Sequence, residues 1–233
     1  MKQLALDFAS IPPPTLHNFV GGRNGELLQT LQRLAMIPGS ERSVYVWGAP
    51  GSGRSHLLRG MLDAASAAGA DAVYVACAAE TCLADDLGGR DIVAIDDVQR
   101  LDARAQIALF NICNALRERE GTLLASGDTP PAQLALRQDL VTRLGWGLVY
   151  QVHALSDEEK TQALKRQAAE RGFTVADEVC AYLMTRAPRD MSSLLALLDG
   201  LDRYSLEVKR PVTVALVREL LQLVKRSGSR IED

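Results

Sequence analysis

Residues 43–58 read Ser-Val-Tyr-Val-Trp-Gly-Ala-Pro-Gly-Ser-Gly-Arg-Ser-His-Leu-Leu. Val44, Tyr45, Val46 and Trp47 are a short apolar run of β-formers, which predicts a strand buried on both faces. Gly48 to Ser55 has the spacing of a phosphate-binding loop, Gly-x4-Gly-[basic]-Ser, with Arg54 where Lys is usual. Leu57, Leu58, Met61, Leu62 and Ala65 follow at helical spacing, so the loop lies between a strand and a helix. The three glycines let backbone N–H groups curl around an anion, and the helix N-terminus adds partial positive charge. Pro50, Gly51, Ser52, Gly53, Arg54, Ser55 and His56 are therefore the candidate nucleotide-binding residues, with the Ser55 hydroxyl a candidate ligand for Mg2+. The plain alternative is a glycine-rich turn without a ligand, and the strand before and helix after argue against it.

Arg54 alters the chemistry expected of such a loop. Lysine is a compact charge that reaches between β- and γ-phosphates, whereas arginine presents a planar fork. That fork can hold a diphosphate through charge-assisted hydrogen bonds, but it is less suited to following a γ-phosphoryl group through transfer. Binding of ADP or ATP with weak or absent intrinsic hydrolysis is the expectation.

With 233 residues the chain has room for one or two domains. Hydrophobic residues at 47% and charged residues at 24% are ordinary for a globular chain. A net charge of -3 argues against broad nucleic-acid binding. Cys77, Cys82, Cys113 and Cys180 form no Cys-x-x-Cys pair, and free thiols are expected. No apolar stretch reaches membrane-span length and no signal peptide opens the chain, so a cytoplasmic location is expected.

Ahead of the loop, Ile11-Pro12-Pro13-Pro14 reads as a stiff extended linker that tethers the first ten residues. Gln3-Leu4-Ala5-Leu6-Asp7-Phe8 is either a strand or an extended docking peptide. It resembles the hexapeptide with which bacterial proteins bind the replicative sliding clamp, placing Gln3, Leu4, Leu6 and Phe8 at the defined positions. Phe19-Val20 would wall the base of a bound nucleotide or staple the helix carrying Leu27, Leu28 and Leu31.

Beyond the loop, Ala72 to Cys77 predicts a second strand, and Asp91-Ile-Val-Ala-Ile-Asp-Asp a third. A buried parallel strand delivers its last residues beside the phosphate loop. Asp96 is thus the candidate to hold Mg2+ through water, and Asp97 to orient an attacking water. Ala103 to Glu120 predicts a helix burying Ile107, Phe110, Cys113 and Leu116. Thr122 to Ser126 is the fourth strand, and Asp128 after it would sense a γ-phosphate or cap a Pro-initiated helix. Leu148 to Val152 is the fifth strand. From Ser156, where Ser-Asp-Glu-Glu159 forms a capping box, the pattern is purely helical, with four helices to Val224. The implied fold is α/β, a five-stranded parallel sheet followed by a small all-helical lid. The expected division is 1–14 for peptide and linker, 15–153 for the core, 154–224 for the lid and 225–233 for a tail.

These motifs, with Gly127-Asp128-x-Pro-Pro and Arg143-Leu-x-Trp-Gly, resemble AAA+ modules of the DnaA branch, and most closely its clamp-binding regulators. The resemblance spans essentially Gln3 to Leu223. It implies a partner in DnaA, a second in the DNA polymerase III β sliding clamp, a possible homodimer, and neither sequence-specific DNA binding nor a membrane. It further implies that Arg143 acts as an arginine finger, reaching in trans to ATP held by DnaA and so restraining re-initiation of replication. The rival function is an autonomous ATPase resembling a helicase loader. The family's sensor arginine aligns with Ser192, and Arg189, a turn earlier, is the candidate substitute for contacting the nucleotide.

Overall fold

The computed structural model describes residues 13–37 and 39–228, and Gln3, Leu4, Leu6 and Phe8 of the expected clamp peptide lie outside them. The chain divides into two compact units, a core over Pro14–Ala154 and a helical unit from Leu155 onward.

The core runs α1 (Gly25–Met36), β1 (Ser43–Trp47), α2 (Arg54–Ala67), β2 (Ala72–Ala76), β3 (Ile92–Asp96), α3 (Ala103–Glu118), β4 (Thr122–Gly127), α4 (Gln138–Leu144) and β5 (Leu148–Gln151). All strand pairs are parallel, in the order β2-β3-β4-β1-β5. Because β4 and not β2 lies beside β1, the ends of β1 and β4 are direct neighbours, and the Gly48 N–H donates to the Gly127 carbonyl at 3.3 Å. In an open parallel sheet the place where strand order reverses is where ligands bind.

Both faces of the sheet are covered, which explains the continuous apolar runs. Val44, Val46, Ile92, Ala94 and Leu124 point to one face, against Leu27, Leu31 and Leu34 of α1 and Leu57, Leu58 and Met61 of α2. The alternate residues Tyr45, Val93, Ile95, Leu123 and Ala125 point to the other, against α3 and Leu140, Val141 and Leu144 of α4. Each fully buried aliphatic side chain contributes roughly 1.5–3 kcal/mol.

Two expectations need correction here. The buried stripe of α3 is Ala105, Leu109, Ile112 and Leu116, with Phe110 and Cys113 partly buried and Ile107 47% exposed. The stripe includes Leu116, but its preceding turns are rotated because α3 must also cover Leu83, Leu87 and the sheet. The expected Pro-initiated helix is a short 3-10 turn, Pro131–Gln133, and the real helix of this connection is α4. At seven residues α4 is too short to show periodicity.

The helical unit comprises α5 (Asp157–Glu170), α6 (Asp177–Arg186), α7 (Met191–Val208) and α8 (Val214–Gly228). The capping box at the start of α5 is present: the Glu159 N–H donates to Ser156 Oγ at 3.2 Å, and the Ser156 N–H donates to Glu159 Oε2 at 2.7 Å. A separate core of Leu164, Val179, Leu183, Leu194, Leu198, Leu201, Leu216 and Leu220 holds these helices together. Ala187, Met191 and Leu195 are partly buried at its edge. All four cysteines are free thiols: Cys77 and Cys180 are buried, Cys113 is half-buried and Cys82 is exposed. Among the described residues no helix is long and apolar enough to cross a membrane.

Candidate functional site

The loop after β1 folds as its glycines require. Gly51 has φ +77° and Gly53 φ +101°, a left-handed region where side chains other than glycine's are strained. A Cβ at Gly53 would also lie 2.7 Å from the Phe19 ring. Gly53 is thus the N-cap that lets α2 start at Arg54 with its free N–H groups beside the loop. Pro50, Gly51 and Ser55 are exposed, whereas Ser52 and Arg54 are buried.

Phe19 packs on Gly53 and on the His56 ring, with ring centroids 5.6 Å apart, and Val20 beside it is half-buried. The N-cap of α1 is Asn24, five residues beyond Phe19, so Phe19 is aimed at the loop and does not staple that helix. His56 Nε2 donates to the Thr15 carbonyl at 2.9 Å, and burial lowers its pKa, partly offset by that bond. Asn24 fastens the same segment to the end of β5: its Nδ2 donates to the His153 carbonyl at 2.9 Å, and its Oδ1 accepts from the His153 N–H at 2.8 Å.

Behind the loop, Arg54 Nη2 lies 3.0 Å from Asp97 Oδ1, with the Arg54 side chain only 10% exposed. Asp97 adopts a left-handed conformation, φ 59° and ψ 51°, which aspartate tolerates better than most residues. Its N–H donates to Ser126 Oγ at 2.9 Å, and Gln99 Nε2 donates to its Oδ1 at 3.1 Å. Arg100 Nε lies 3.7 Å from its Oδ2.

Asp96, 3% exposed, is held as closely. Ser126 Oγ donates to its Oδ1, and the Tyr74 hydroxyl donates to its Oδ2 at 2.6 Å. Burial first, then Asp96, pushes the Tyr74 phenol up to about 12, so it stays a donor. Sequence reasoning missed Tyr74, Gln99 and Ser126. The available signal was a lone hydroxyl within the otherwise apolar run Leu123-Leu-Ala-Ser126.

These positions bear directly on what the site can hold. Ser52 Oγ and Arg54 Nη1 are buried without a hydrogen-bond partner among the described residues. Buried donors left unpaired cost roughly 1–3 kcal/mol, and a phosphate in the loop would satisfy donors of this kind. The set fits a nucleotide's phosphates. It fits Mg2+ poorly, since every carboxylate oxygen of Asp96 and Asp97 already faces a protein donor and Arg54 brings positive charge to the pair. Among the described residues no cluster of three or more His, Cys, Asp or Glu could hold a metal.

Asp128 is exposed and makes no helix cap; its carboxylate accepts from Thr129 Oγ1 at 3.4 Å. Tyr45 fixes this connection, its hydroxyl donating to the Thr129 carbonyl at 2.9 Å. Burial, followed by Asp128, raises the Tyr45 pKa above its ordinary value, while Arg54 draws it down.

Arg143 makes its contacts elsewhere, in the last turn of α4. Its guanidinium lies 4.0 Å from the Trp146 ring centre and 5.0 Å from that of Phe110. Arg117 also stacks on Trp146, at 4.7 Å, and the indole remains 52% exposed. Arg189 is exposed in the helical unit, just before the Asp190 cap of α7, and Ser192 lies in the first turn of that helix.

Residues 79–151 match the family model described as the bacterial DnaA ATPase domain, and residues 157–221 match that described as the Hda lid domain. An uncharacterized protein of Haemophilus influenzae is 35% identical over 230 residues, covering 95% of this chain and 99% of its own. Domain III of the Thermotoga maritima replication initiation protein DnaA superposes with a TM-score of 0.71 at 21% identity, over 91% of this chain and 96% of that one. AMPPCP-bound DnaA from Aquifex aeolicus superposes with a TM-score of 0.65 at 22% identity, over 85% and 70% of the two chains.

Proposed function

The chain belongs to the Hda/DnaA-related AAA+ family of replication-initiation proteins, and from that premise we propose that it stimulates hydrolysis of ATP held by DnaA. The observation that carries this reading is the pairing of a DnaA-type core with an Hda-type lid in one chain. In this reading the chain's own site binds ADP or ATP and sets its conformation. Gln3, Leu4, Leu6 and Phe8 dock on the sliding clamp, so that DnaA is inactivated once a clamp has been loaded.

Arg143 is the residue assigned to the chemistry. A guanidinium brought to the γ-phosphoryl group of a neighbouring subunit meets charge that develops in the transition state, and such arginines accelerate transfer by ~10³–10⁵ in the best cases. Its stacking on Trp146 and Phe110 supports this role, because a pre-oriented side chain loses less entropy on engagement. Against an autonomous ATPase stands the Arg54–Asp97 pair, which occupies the carboxylate that would orient water.

The test is ATP hydrolysis by DnaA alone, with this protein, and with this protein plus clamp loaded on DNA. Stimulation that needs both additions is the expected result. Multiple-turnover hydrolysis by this protein alone would favour the ATPase instead.

A further inference from the structure

The unpaired donors and the carboxylates already engaged by protein donors occupy one site, and together they specify its ligand further. We infer that the loop binds a nucleoside diphosphate without a divalent cation, the Arg54 guanidinium supplying the positive charge that Mg2+ supplies elsewhere. The inference rests on the reading that this loop binds nucleotide.

Mg2+ demands near-octahedral oxygen coordination and keeps several waters, which in turn need acceptors. At Asp96 each oxygen already accepts from a protein hydroxyl, Ser126 on one and Tyr74 on the other, and 3% exposure leaves little room for a metal-bound water at the remaining lone pairs. At Asp97 one oxygen is taken by Arg54 and Gln99 and the other is faced by Arg100. A metal there would also lie beside the guanidinium, and like charges in a partly desolvated site repel strongly. Ser55 is exposed, while the acid it would share a cation with is not.

The same residues supply what a diphosphate needs. Arg54 Nη2 is committed to Asp97, but Nη1 is buried and unpartnered, as is Ser52 Oγ. Arginine forks hold phosphate by parallel N–H···O bonds, and the open N–H groups at the start of α2 add to them. Arg54 therefore divides its donors, one amino group fixing the acid and the other available to the anion. A diphosphate carries less charge than a triphosphate and is better matched to one guanidinium plus a helix terminus.

The experiment is titration of the full chain with ADP, in buffer containing Mg2+ and in buffer containing EDTA, repeated on Arg54→Lys. For the parent protein the two dissociation constants should agree within about threefold. For Arg54→Lys, whose single compact ammonium cannot bridge a bound phosphate and Asp97 as the guanidinium fork does, Mg2+ should strengthen ADP binding by about tenfold or more. Loss of about tenfold or more in EDTA by the parent protein would overturn the metal-free site while leaving nucleotide binding intact. An Arg54→Lys protein as insensitive to Mg2+ as the parent would overturn the role given to Arg54. Absence of binding in both buffers would overturn the nucleotide reading itself. If the variant fails to fold, the parent titration still decides.

Discussion

Arg54 at the start of α2 and Asp97 just after β3 form a largely buried ion pair, with 3.0 Å between Nη2 and Oδ1. The phosphate-type loop and the acidic end of β3 are thereby tied to each other. The pair gives the loop a fixed guanidinium, and in the proposed reading it keeps Asp97 from orienting an attacking water.

Removing one partner exposes the cost of the other. Asp97→Ala leaves Arg54 buried and unpaired, and unfolding in urea should show a loss on the order of 3 kcal/mol. Arg54→Ala should weaken ADP and ATP alike; unchanged affinity would remove the loop from the mechanism.

His56 gives the core a pH dependence of known sign. Burial lowers its folded-state pKa below the ordinary value, so the unfolded chain takes up the proton first as pH falls. Its contribution is complete above the unfolded pKa of about 6.5 and is lost as pH falls through the folded pKa. Urea midpoints taken from neutral to mildly acidic pH should fall, and His56→Gln should flatten that part of the curve. An unchanged slope in the variant would assign the dependence to other groups.

The orientation of α3 is testable by a pair of alanines. Leu109→Ala removes a fully buried side chain and should cost about 2–5 kcal/mol, whereas Ile107→Ala should stay within ~0.5 kcal/mol. Equal losses in urea unfolding would mean that α3 is rotated relative to this account.

The strands and the loop were legible in the sequence because each is a short-range signal. Val44 to Trp47 is apolar since both faces of β1 are covered, and Gly51 and Gly53 take conformations that other residues resist. What could not be read was set by contacts between residues distant in the chain. Tyr74 and Ser126 belong to different strands, and only strand order brings both to Asp96. Arg54 was recognised as unusual, but its partner depended on the conformation of Asp97, which no local pattern announces. The phase of α3 was misread because a helix that also packs under a connecting turn buries residues off a simple stripe.

The proposed clamp peptide separates anchoring from folding. Changing Gln3, Leu4, Leu6 and Phe8 to Ala should abolish retention on immobilised clamp while shifting the melting temperature by no more than about 2 °C. A much larger drop would identify the segment as part of a core.

The most direct test is hydrolysis of DnaA-bound ATP in the presence of DNA-loaded clamp, comparing the parent protein with Arg143→Ala. Arg143 is half-buried on Trp146 and Phe110, and losing such stacking costs only about 0.5–1 kcal/mol, so the variant should fold. It should retain ADP and clamp binding, yet stimulate DnaA at least about tenfold less than the parent. Arg143→Lys should restore little of the rate, since a point charge lacks the planar fork. An alanine variant that stimulates DnaA as strongly as the parent would contradict the account, leaving Arg143 as a structural residue of an aromatic cluster.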